Sequence, residues 1–89
     1  MSFPLGRVLA TPGALREFEE AGTSPASLLA RHAAGDWGDL SPEDRAENEL
    51  SLREGFRLLS AYTLSTGVRI WIITECDRSA TTFLLPAEY

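Results

Sequence analysis

Residues 57–89, RLLSAYTLSTGVRIWIITECDRSATTFLLPAEY, carry most of the chain's β-branched residues in one run broken by two turn signals. Residues of this kind fit a pleated, half-buried surface. Phe56 to Leu64 alternates: Phe56, Leu58, Ser60, Tyr62 and Leu64 fall on one face, and Arg57, Leu59, Ala61 and Thr63 on the other. Ser65-Thr66-Gly67 reads as a three-residue hairpin loop, with glycine where positive φ is needed. Val68 to Cys76 follows, with Val68, Ile70, Ile72, Thr74 and Cys76 on one face and Arg69, Trp71, Ile73 and Glu75 on the other. Asp77-Arg78-Ser79 turns the chain again, Ala80 to Leu85 makes a last strand, and Pro86 ends it. If Leu64 pairs with Val68, Tyr62 lies opposite Ile70 and Arg57 opposite Glu75, an opposite-charge pair of the sort a cross-strand register favours. The middle strand is then apolar on both sides, and the Trp71 face is left partly exposed or covered by another subunit.

Upstream, three helix starts share one punctuation. Thr11-Pro12, Ser24-Pro25 and Ser41-Pro42 each set a hydroxyl at the N-cap and proline at the first helical position, where no N–H is missed. The first helix runs from Pro12 to Ala21, with Leu15 and Phe18 inward, and Gly22 stops it. The second runs from Pro25 to Ala34, with Leu28, Leu29 and His32 near one stripe, before Gly35. The third runs from Pro42 to Glu54, with Ala46 and Leu50 inward, a Glu49–Arg53 pair, and Gly55 at its end. Glu43 and Asp44 in its first turn suit the helix macrodipole. Leu5 to Ala10 reads as a short strand weakened by Gly6. The fold class is therefore α+β. A three- or four-stranded antiparallel sheet, built on a C-terminal meander, packs against three short helices in a single domain, 1–89.

The net charge is −5, and all eight basic residues are arginines spread evenly along the chain. An acidic domain without a basic cluster argues against direct nucleic-acid binding. A single cysteine, Cys76, allows no internal disulfide, and Cys76 reads as a small buried hydrophobe in a reducing compartment. The start MSFPLGR lacks the pattern of a secretory signal, and no apolar run is long enough for a bilayer. These features lead us to expect a soluble cytoplasmic protein with no membrane association.

Few residues carry candidate chemistry. His32 is the only histidine, and nothing in the sequence brings it to Cys76, so a packed or capping histidine is the expectation. Gly35-Asp36-Trp37-Gly38-Asp39-Leu40 is the most distinctive segment. It reads as an ordered connection with Trp37 filling the space between the second helix and the sheet, as a partner contact through Asp36, Trp37 and Asp39, or as a weak cation site with too few oxygens for a calcium loop. Glu75, Asp77, Arg78 and Ser79 gather at one sheet end as a solvated turn or a small binding site. Glu17, Glu19, Glu20, Glu43, Asp44, Glu47 and Glu54 form acidic helix faces, solvated or mimicking a nucleic-acid backbone. There is no phosphate-binding glycine loop, zinc pattern or paired-acid motif, so no cofactor, metal or catalytic residue is assigned.

The segments HAAGDWGDL (32–40), ENELSLREGFRLLSAY (47–62) and IWIITECDRSATTFLLPAEY (70–89), with the LGRVLATPGAL start, resemble a family of small uncharacterised bacterial proteins carried on plasmids and integrated elements. Members carry names such as plasmid-related protein or restriction-enzyme subunit. The resemblance implies a mobile-element setting, where small acidic proteins act by binding another protein, and it brings no active residues. The expectation is a non-enzymatic interaction module that binds a protein partner or itself, through the sheet face of Trp71 and Ile73 or through the Gly35–Leu40 loop. An acidic inhibitor of a host defence nuclease is the first alternative. A small ligand-binding protein or enzyme using Asp77, Arg78 and Thr82 is the second.

Overall fold

The computed structural model describes residues 3–89. In chain order it has strand β1 (Arg7–Ala10), helices α1 (Pro12–Ala21), α2 (Pro25–Ala33) and α3 (Pro42–Glu54), strands β2 (Leu58–Thr63), β3 (Arg69–Thr74) and β4 (Ala80–Leu84), and a terminal 3-10 turn (Pro86–Glu88). The α+β class holds. The sheet has four strands in the order β1-β4-β3-β2. The meander β2-β3-β4 is antiparallel, with Tyr62 opposite Ile70 and Trp71 opposite Leu84. β1 joins it in parallel, Val8 beside Thr81 and Ala10 beside Phe83. The three helices carry the chain from β1 to the far edge of the sheet. The meander then returns toward β1, and its third strand arrives in the same direction as β1. A wholly antiparallel sheet is thus corrected at its first strand, which also begins at Arg7 rather than Leu5.

The proline-led helix starts hold, with two caps of the expected kind. Thr11 accepts from Ala14 N–H at 3.1 Å, and Ser41 from Asp44 N–H at 3.2 Å. Ser24 makes no side-chain cap bond, and its carbonyl instead accepts from the Ser27 hydroxyl at 2.7 Å. α1 and α2 cover one sheet face, where Ala14, Phe18, Leu28, Tyr62, Leu64, Ile70, Ile72 and Phe83 form the core. Phe18 meets Phe83 edge-to-face at 5.4 Å. Leu15 is not part of this core: it is 52% exposed, and Ala14, one position back on the helix, takes its place.

α3 differs most from its sequence pattern. Ala46 is exposed and Leu50 only half-buried, while the buried residues are the polar Asn48 and Ser51. The helix stands beside β2, the edge strand, rather than on the core face. Asn48 explains why: its amide donates to the Leu59 carbonyl and accepts from Leu59 N–H at 3.0 Å, imitating a neighbouring strand. Glu49 does not pair with Arg53; its carboxylate accepts the Trp37 indole N–H at 3.1 Å.

The two sheet edges are treated unequally. Beside Asn48, the loop after α2 pairs with β2 as a one-residue parallel bridge between Gly38 and Ala61. Ala61 N–H donates to Trp37 O at 3.1 Å, and Asp39 N–H donates to Ala61 O at 2.7 Å. Gly38 sits at φ +75°, and a Cβ there would run into the Ala61 carbonyl and the Tyr62 ring. Arg45 holds the loop from outside through the Gly38 and Leu40 carbonyls. Among the described residues β1 has no such cover. Arg7 and Thr11 direct their N–H groups to β4, so the backbone of Val8 and Ala10 faces outward, and Val8 and Leu9 are 49% and 40% exposed.

Candidate functional site

The only histidine lies in the core, on the inward face of α2. His32 is fully buried, with Nδ1 2.5 Å from Ser60 Oγ and Nε2 2.9 Å from Thr74 Oγ1. Thr74 Oγ1 lies 2.8 Å from Thr81 Oγ1, which donates to the Leu5 carbonyl at 2.7 Å. A carbonyl can only accept, so every proton in this chain has one direction. Thr81 gives its proton to Leu5, Thr74 gives its proton to Thr81, and Nε2–H of His32 gives to Thr74. Nδ1 is then bare and accepts from Ser60. Burial pushes the His32 pKa down to about 4, so the ring is neutral at pH 7. Phe3 and Trp37 close it in edge-on at 5.3 and 5.7 Å. The Ser60–His32 pair has the shape of a nucleophile and its base, but both residues are at 0% exposure, and neither borders the hollows of about 400 and 300 Å³ that flank α3. What the pair does is tie α2 to three strands and to the N-terminal segment.

The residues expected to form a contact surface divide into three groups. The Gly35–Leu40 loop is the ordered connection on the β2 edge. Trp37 is 2% exposed and unavailable to a partner. Asp36 grips Arg31 at 2.7 Å and caps Gly38 N–H, and the Arg31 hydrogen bond holds its carboxyl below the usual range. Its carbonyl accepts the Tyr62 hydroxyl at 2.5 Å. Asp39 accepts from the Thr63 hydroxyl at 2.9 Å.

The second group, Glu75, Asp77 and Arg78, belongs to the β3–β4 turn. Arg78, at φ +60°, aims its guanidinium inward, at the carbonyls of Phe56 (2.7 Å), Glu75 (3.1 Å), Cys76 (3.4 Å) and Ser51 (3.1 Å). It is a cation at the C-terminal end of α3, where unpaired carbonyls collect. Asp77 caps Ser79 N–H at 3.0 Å; the Ser79 side chain first, and this N–H second, hold its carboxyl below the usual range. Glu75 is exposed, and it does not pair with Arg57, whose guanidinium lies over the Tyr89 ring at 5.5 Å. Cys76 lies in the turn beyond β3 and is exposed, not buried.

The third group is the Trp71 face. Trp71 is half-buried, but Ile73 is 4% exposed and Leu84 also lies inside. An apolar patch of these three together does not exist. The cover comes from the chain's own end: the terminal 3-10 turn folds back on β3, and Tyr89 meets Trp71 edge-to-face at 5.8 Å. Glu88 fixes the turn by accepting from the Thr11 hydroxyl at 2.7 Å and from Leu85 N–H at 2.8 Å. Helices need not cover both faces when four terminal residues can do so.

What stays open is the strip between this face and α3. Two hollows of about 400 and 300 Å³ flank the helix. Asp44 and Leu59 border both, Phe56 and Arg57 lie at one end, and Trp71 and Arg69 at the other. Of the expected contact residues, Trp71 and Asp39 border this strip. Phe56, Asn48, Ser51 and Leu59 were missed. Asn48 and Ser51, spaced i, i+3 within a helix that lacks an apolar stripe, were the available signal. No group of three or more metal-ligating side chains comes together among the described residues. No helix of the described residues is long and apolar enough to cross a membrane.

The chain matches no protein-family model, no curated protein and no solved structure.

Proposed function

We propose that the chain is a non-enzymatic protein-binding module that works through the strip between α3 and the Trp71 face. The observation that carries this reading is the division of labour among its polar residues. His32, Asp36, Asn48 and Arg78, the groups best suited to chemistry, each spend their hydrogen bonds inside the fold. The strip keeps an exposed aromatic ring, Phe56 at 53%, a half-buried Trp71 and the Asp44 and Glu47 carboxylates at its rim. Aromatic groups beside a polar rim are the composition of a contact surface. The resemblance to proteins of plasmids and integrated elements supplies the setting, a bacterial cytoplasm in which the partner is a host or element protein. The acidic residues of α1 and α3 do not form one strip, since α1 packs on β4 and α3 on β2. For that reason protein contact is placed ahead of duplex mimicry.

The test uses the intact chain as bait in host extract beside a Phe56→Ala, Asp44→Asn bait. We expect a protein retained by the first and lost with the second. A chain that sediments as a monomer and retains nothing in either form overturns the reading.

A further inference from the structure

We infer that the strip beside α3 is a groove for an arginine side chain presented by a segment of a partner protein, an inference that rests on the protein-binding reading above. The two hollows adjoin at Asp44 and Leu59, which line both, and together they make up the channel. Its helical wall runs from Ser41 through Asp44 and Glu47 to Ser51, roughly 15 Å at 1.5 Å per residue. Leu59 and Ala61 form an apolar floor.

The charges in the channel are not equivalent. Both bordering arginines are engaged: Arg69 donates to the Asp39 carbonyl at 3.2 Å, and Arg57 stacks over Tyr89. The carboxylates of Asp44 and Glu47 make no ion pair or hydrogen bond among the described residues, where the one salt bridge is Arg31–Asp36. Ser51 is only 4% exposed, its hydroxyl makes no hydrogen bond among the described residues, and it borders the larger hollow. Every fully buried polar side-chain atom described does have a partner, so this oxygen keeps a small exposure on a residue that borders the channel.

The free groups are therefore two anionic acceptors, one nearly buried hydroxyl, an aromatic face and an aliphatic floor. They fit a cation on an apolar stem. A bare metal ion would find two carboxylates and one hydroxyl here, fewer oxygens than a protein cage for a hard cation supplies. Lysine would satisfy the charge, but the planar guanidinium can also bridge two carboxylates and lie on the Phe56 ring, and its weaker hydration suits a partly buried site. A second copy of this chain is disfavoured, because a two-fold contact through the channel would set Asp44 and Glu47 against their own equivalents in a molecule of net charge −5.

The experiment is selection of a random dodecapeptide library on the intact chain. It is followed by anisotropy measurements with one labelled peptide from the recovered pool. The expected pool is enriched in arginine next to an apolar residue. Asp44→Asn with Glu47→Gln should then weaken binding about tenfold or more, a change of about 1.4 kcal/mol or more. Glu17→Gln with Glu20→Gln, which removes the same charge from α1, should leave it unchanged. Amide shifts on the unmodified chain should map to residues 44–51 and to the Trp71 indole, a readout independent of any variant. Equal weakening by the α1 pair, shifts that map elsewhere, or a pool without arginine overturns the groove assignment while a binding module remains. Recovery of no binder at all removes both.

Discussion

At the residue scale, His32 shows how a single buried group makes stability depend on pH. Its folded pKa, about 4, lies below the ordinary value of 6.5. The unfolded chain therefore takes up a proton first, and stability is lost as pH falls from about 6.5 toward 4. Between pH 7 and pH 4.5 urea denaturation should show a loss of about 2–3 kcal/mol from this group. The ring protons of His32 should stay unshifted in NMR spectra from pH 7 to pH 5. Thr74→Val leaves the buried Nε2–H of His32 without an acceptor and takes one donor from Thr81, which keeps its bond to Leu5; it should lower stability by about 1–3 kcal/mol. Ser60 and Thr74 could be seen in the sequence as polar residues on the apolar faces of their strands. Their partner could not, because the contact joins residues 28 and 42 positions apart, and no periodicity records such a meeting.

At the scale of elements, helix ends were the most legible feature, and for a local reason. Ser/Thr-Pro and glycine fix backbone geometry within one turn, so Pro12–Ala21 and Pro42–Glu54 hold to the residue. The meander was legible for the same reason, since two short turns leave little freedom in register. The position of α3 was not legible. A helix that buries Asn48 and Ser51 is placed by hydrogen bonds to a strand edge, and apolar periodicity says nothing about those. Asn48→Ala leaves both backbone groups of Leu59 without partners in a part-buried place; it should cost about 2 kcal/mol and speed exchange of the Leu59 amide. Ala46→Ser, on the exposed side of the same helix, should stay within about 0.5 kcal/mol. Gly38→Ala should also destabilise, because positive φ and the Ala61 carbonyl both oppose a side chain there.

At the scale of the whole molecule, the four-stranded sheet is covered on one face by two helices and on the other by its own last residues. The sequence showed that Trp71 and Ile73 needed a cover, but the cover itself is a long-range return held by Glu88 to Thr11, which are 77 positions apart. Removing residues 86–89 should raise acrylamide quenching of Trp71, shift its emission to the red and promote self-association, which sedimentation would report. Unchanged quenching would mean that Tyr89 does not shield the indole.

The unequal flanks of the sheet also limit how copies could join. With β2 stoppered at Leu59 and Ala61 by Asn48 and Trp37–Asp39, β1 is the flank that, among the described residues, offers a run of free main-chain groups. A strand added at β1 by a second molecule would use up this open flank of each. Growth by this route therefore halts at a pair instead of running on into fibrils, the hazard that unguarded borders bring.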